Sequence, residues 1–108
     1  MIRSAAVASC AVVAGAVFGQ SLNFEQADVF DFATVAATSY AAAARACGTA
    51  DRDIQNCRIG PNRQLRLVAF RAQNDRFQFY TKCMLVMRDD QRACDEVLGA
   101  FISKAMQP

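Results

Sequence analysis

RQLRLVAFRAQNDRFQFYTKCMLVM, residues 63–87, is the stretch on which the fold class turns. Read as strand, Leu65, Leu67 and Ala69 alternate with Gln64 and Arg66, but apolar Val68 and Phe70 break the pattern. Read as helix, Leu65, Val68, Ala72, Phe79, Cys83 and Val86 recur on one face. Leu67, Phe70, Phe77, Tyr80 and Met84 make a second apolar stripe. The helical template fits more residues, and two stripes predict a helix buried on both sides. Asn74-Asp75 is the weak point, so the reading is two helices meeting there, with a hairpin through Phe77-Gln78-Phe79 as the alternative.

The flanks also read as helix. FDFATVAATSYAAAARAC, residues 30–47, is alanine-rich, free of Gly and Pro, and followed by Gly48 as a left-handed C-terminal cap. A short helix is predicted over about residues 50–58, with Thr49 as its N-cap, Gly60-Pro61 as a stop, and Pro61 as the first residue of the next helix. At the end of the chain, Cys94, Val97, Leu98, Phe101, Ile102 and Ala105 keep helical spacing, with Asp89 or Asp90 placed to cap the start. The expected fold is all-α, a compact bundle of four or five short helices.

Upstream, MIRSAAVASCAVVAGAVFG has one charge, Arg3, before a short apolar run that ends in small residues. That layout is a secretory signal peptide, with cleavage expected after Gly19 and a single domain over residues 20–108. The run is shorter than the roughly 20 residues of a membrane span and lacks the arginines of a mitochondrial presequence. Cleavage removes Cys10 and leaves Cys47, Cys57, Cys83 and Cys94, an even count in a small secreted chain, which reads as two disulfides. In so short a chain each is expected to contribute about 2–4 kcal/mol.

Removing Arg3 also leaves a net charge of +1, too small for a global field that would attract nucleic acid or an anionic membrane. Glu25, Asp28 and Asp31 gather at the mature N-terminus, whereas Arg52, Arg58, Arg63, Arg66, Arg71 and Arg76 enrich the middle.

The chain has no histidine, which removes Ser-His and Cys-His nucleophiles and the usual zinc hydrolase sites. Asp51 with Asp53, Asp89 with Asp90, and Asp95 with Glu96 sit where helix starts favour acids, so capping is expected rather than paired-carboxylate catalysis. The cysteine gaps of nine and ten residues are too wide for a four-cysteine zinc site or a Cys-x-x-Cys redox centre. No cofactor and no metal are expected.

The Cys47-x9-Cys57 bracket, answered by Cys83-x10-Cys94, resembles the coiled-coil-helix-coiled-coil-helix proteins of the mitochondrial intermembrane space. The chain departs from them at Gly48, in the longer second gap and in its kind of leader, and no function is carried over. The resemblance implies antiparallel packing of the two bracketed segments, and with it nested pairs, Cys47 with Cys94 and Cys57 with Cys83. Four cysteines admit three connectivities; sequential pairing, Cys47 with Cys57 and Cys83 with Cys94, is the alternative.

By elimination the expected function is that of a small secreted, non-enzymatic binding protein acting on an extracellular protein: a toxin, a salivary or host-directed effector, or a signal. Arg63, Arg66, Arg71 and Arg76 are the candidate partner surface. The alternative is a carrier holding a small apolar ligand inside the bundle, among Phe70, Phe77, Phe79, Tyr80, Met84, Met87 and Phe101. A membrane-active helix is disfavoured and no stable membrane insertion is expected, because the terminal helix carries only Lys104 near its end, against Asp95 and Glu96.

Overall fold

The computed structural model describes residues 24–108, so the expected signal peptide and Cys10 lie outside the described residues. Four helices follow in order: α1 Phe24–Cys47, α2 Asp51–Ile59, α3 Arg63–Val86 and α4 Gln91–Ala105. The all-α bundle is as expected. No described helix is long and apolar enough to cross a membrane.

α1 is the central element and packs against all three others. It is already helical at Phe24 rather than starting at Phe30, and this places Val29 in the core and Asp28 3.5 Å from Lys82 of α3. Ala33, Ala36, Ala37, Ala41, Ala43 and Ala44 are all buried along it. Their small side chains let backbones approach closely, so the core is thin. Val29, Ala33 and Ala36 of α1 meet Phe79 and Cys83 of α3, and Cys94 and Leu98 of α4. Phe30 stacks on Phe101 with ring centroids 5.8 Å apart, and Arg45 donates to the Ala105 carbonyl at 2.9 Å, so α4 is held to α1 at separate points.

α3 is a single unbroken helix, which corrects both the expected break at Asn74-Asp75 and the hairpin alternative. The physical reason is tertiary. Asp75 accepts a hydrogen bond from the buried hydroxyl of Ser39 on α1, while Asn74 simply faces solvent. That single bond outweighs the few tenths of a kcal/mol by which Asn and Asp disfavour a helix interior.

Continuity of α3 decides the disulfides. They are sequential, Cys47–Cys57 and Cys83–Cys94, and the nested pairing is overturned. Cys57 precedes α3, and Cys83 lies 20 residues after its start, roughly 30 Å along a straight helix, so no Cys57–Cys83 bond can close. Each bond instead ties two consecutive helices across their corner.

The corners show local chemistry. Gly48 has φ +118°, a conformation that side chains disfavour, and its N–H donates to the Ala44 carbonyl. Thr49 is not the cap of α2; Ala50 holds that position without a side-chain bond, and the Thr49 carbonyl accepts from the Tyr40 hydroxyl at 3.1 Å. Asn62, rather than Pro61, opens α3, accepting from the Leu65 N–H, and Asp90 caps α4 through the Ala93 N–H. A Gly48→Ala variant is expected to lose about 1–3 kcal/mol, read from urea unfolding. Its Cβ would carry the backbone strain and come within 2.5 Å of the Asp53 carboxylate. An unchanged midpoint would show that the corner relaxes freely.

The second apolar stripe of α3 is corrected as well. Leu67, Phe70 and Phe77 are exposed, and Tyr80 and Met84 are half-buried. Neighbouring helices cover only one side of α3, and that side is the one bearing Ala69, Ala72, Phe79 and Cys83.

Candidate functional site

All four helices contribute to one open cleft of about 450 Å³. α1 supplies Tyr40, α2 Asp51, α3 Arg76 and Tyr80, and α4 Gln91 and Asp95. It continues along α2 past Ile54 and Arg58, where Tyr40, Asp51 and Arg76 again form the wall.

Its centre is ordered by cross-helix contacts. The Tyr80 hydroxyl donates to the Asp95 carboxylate, and the Arg76 guanidinium carbon lies 5.7 Å from the Tyr80 ring centroid, within cation–π range. Tyr80 also packs edge-on against buried Phe79 at 5.2 Å, so the ring is anchored to the core. Cys83 is one helical turn beyond Tyr80 and Cys94 adjoins Asp95, so the Cys83–Cys94 bond holds both halves of the pair together.

Burial pushes the Tyr80 phenol above its ordinary value; the hydrogen bond to Asp95 and the negative charge of Asp95 push the same way, against the opposing effect of Arg76. The phenol is therefore neutral at physiological pH, a hydrogen-bond donor rather than a nucleophile or base. A raised folded pKa favours the fold below about pH 10, and that contribution is lost as pH rises through the folded value. With two tyrosines in the chain, a Tyr40→Phe variant isolates Tyr80. Its near-ultraviolet titration is expected above the ordinary tyrosine value, returning to it in urea. Titration at the ordinary value in the folded protein would contradict the Tyr80–Asp95 hydrogen bond.

The four arginines singled out from the sequence all lie on α3, but the helical period sets them at different azimuths, separated by roughly 60 to 140°. Arg76 alone reaches the cleft. Arg66 donates to the Gly60 carbonyl at 2.9 Å, Arg71 lies beside Ala42 and Leu67, and Arg63 is exposed near the start of the helix. The residues considered for an internal ligand chamber divide too: Phe79 fills the core, Tyr80, Met84, Met87 and Phe101 pack on its edge, and Phe70 and Phe77 face outward.

Asp51 and Gln91 of the cleft were not singled out as partner contacts, and Asp95 was read as a helix-start residue; no local pattern marks groups that meet only when α2 and α4 fold against α3. Among the described residues no three His, Cys, Asp or Glu side chains are grouped to hold a metal. The chain matches no family model, no curated protein and no solved structure.

Proposed function

We propose that this chain is a small secreted, non-enzymatic binding protein whose four-helix cleft receives a segment of an extracellular protein. The observation that carries the reading is the cleft itself. Tyr40, Arg76 and Tyr80, residue types that dominate binding hot spots, line one concavity, and Asp95 and Phe79 hold Tyr80 in place. A side chain fixed before binding loses less entropy when a partner arrives. Arg76 is thus the member of the α3 arginine set assigned to the target, with Asp51 and Asp95 lending the cleft a mixed character suited to a polar peptide. Two disulfides in so small a domain and the leader-like start of the sequence support an oxidising, extracellular setting.

The test is site-specific photocrosslinking from Gln55, on the exposed α2 rim of the cleft. A discrete crosslinked extracellular protein is expected, with unlabelled protein competing and Arg76→Ala competing poorly at unchanged helicity. Equal competition by Arg76→Ala and by Tyr40→Ala would remove the cleft from the reading. N-terminal sequencing of the exported chain is expected to begin at Gln20, and recovery of an uncleaved intracellular chain would remove the secretory part.

A further inference from the structure

The exposed stripe of α3 belongs to none of the contacts above. Leu67, Phe70, Phe77 and Leu85 retain 56%, 58%, 66% and 75% of their accessible surface. With Asn74 and Thr81 between them, the positions advance by steps of three and four, the seam of a two-helix coiled coil. At about 200 Å² for a large side chain, these fractions leave about 500 Å² of apolar surface in one band. That is at the upper end of the largest patch on an ordinary monomer. Two such bands facing each other bury about 1,000 Å² before any flanking residue is counted, and the flanks bring the contact to the roughly 1,200 Å² of a small specific interface.

We propose that the outward face of α3 docks against the same face of a second copy, antiparallel, with the two-fold axis near residues 75 and 76. The seam is self-complementary in that register. Leu67 lies opposite the Met84-Leu85 end of the other copy, Phe70 opposite Thr81, and Asn74 opposite Phe77. Charge selects the orientation. A parallel pair sets Arg66 across from Arg71 on both flanks, a like-charge contact made twice. The antiparallel pair sets Arg71 across from Gln78, and Gln73 across from Tyr80.

Charge also favours a second copy over an anionic membrane or an acidic helix. α3 carries five basic residues against one acidic residue, but three of the five are engaged within the fold: Arg66 with the Gly60 carbonyl, Arg76 with Tyr80, and Lys82 with Asp28. The two that remain, Arg63 and Arg71, both lie in the first three turns of α3, so the Phe77 to Leu85 half of the stripe has no unengaged basic residue on α3. The Gln73–Tyr80 flank brings the pairing up to one wall of the cleft, and each dimer carries two clefts, so a target offering two segments gains avidity.

Sedimentation velocity on the disulfide-intact protein over a micromolar to submillimolar series reads the proposal directly. A dimer that dissociates on dilution is expected. Phe70→Glu with Phe77→Glu, both at exposed positions, is expected to weaken it at least about 100-fold with helicity unchanged. Arg71→Glu is expected to leave the affinity within a few-fold; marked strengthening would overturn the antiparallel orientation. A wild-type monomer throughout the series, or a dimer indifferent to the paired Phe variant, would overturn the interface. Co-flotation of a monomer with vesicles containing phosphatidylglycerol would reassign the face to lipid. Crosslinking from Gln55 continues to report on the cleft in each case, so the two readings fail separately.

Discussion

A Cys83→Ala, Cys94→Ala variant is expected to lose about 3 kcal/mol or more of unfolding free energy, while Cys47→Ala, Cys57→Ala loses less and only locally. The two bonds close loops of nearly equal length, with separations of 11 and 10 residues, so unfolded-chain entropy alone gives about 3 kcal/mol for either. The surroundings make the difference. Cys83 and Cys94 are fully buried members of the core, whereas Cys47 and Cys57 are half-buried and α2 contributes no buried residue. The Cys83–Cys94 bond also closes a turn in which Arg88 and Asp89 both have positive φ, a conformation that costs non-glycine residues stability. Without the bond, α4 can lift away with Asp95 and open the cleft. Urea unfolding followed by circular dichroism gives the magnitudes. Hydrogen exchange gives the pattern: protection lost across α4 in one variant and confined to α2 in the other. Equal costs for the two variants would mean that burial of the sulfurs contributes nothing.

Such a loss is a large share of the roughly 5–15 kcal/mol that holds a domain together. The same structural fact links it to the cleft. Tyr80 and Asp95 come from different helices and meet because a covalent bond one turn away leaves them little freedom. A reduced protein is therefore expected to lose target binding before it loses most of its helix.

Features set by neighbouring residues were legible in the sequence. Gly48 as the turn after α1, Gly60-Pro61 as the junction before α3, and an Asp89-Asp90 cap of α4, which the structure assigns to Asp90, each depend on chemistry within four residues. Features set across the fold were not. Asn74-Asp75 carries a turn signal, and what cancels it is a hydroxyl 36 residues away on α1. The nested cysteine pairing, which the family resemblance implied, fails on the same element, because an unbroken α3 keeps Cys57 and Cys83 far apart. Periodicity likewise found both apolar stripes of α3 but could not say which one a neighbour covers, because the alanines of α1 make a core thin enough to use only one. The cleft was invisible for the same reason. Of the partner-surface arginines, only Arg76 reaches it, and its partner Tyr80 had been weighed as core or pocket lining.

Phe79→Ala is expected to cost about 3–5 kcal/mol, and Phe77→Ala, two residues away on the same helix, no more than about 0.5 kcal/mol. Phe79 is fully inaccessible and is the largest such side chain among the described residues. It packs in the cluster with Val29, Ala33 and Ala36 of α1, where the helix backbones already lie close. Alanine neighbours have no longer side chain to swing into the space, so the cavity stays open and the cost falls at the upper part of the range for large-to-small changes. Tyr80 would lose its edge-on contact as well, loosening the cleft from beneath. Phe77 points about 160° away around the helix, into solvent in the single copy. Its truncation removes little from the fold but weakens the proposed pairing, so the comparison belongs at protein concentrations below dimer dissociation, where linkage to assembly does not inflate stability. Chemical unfolding of the two variants side by side then fixes the rotation of α3 about its own axis. A larger loss from Phe77→Ala than from Phe79→Ala would turn the helix over, exchanging the buried and exposed stripes and removing the surface on which the dimer rests.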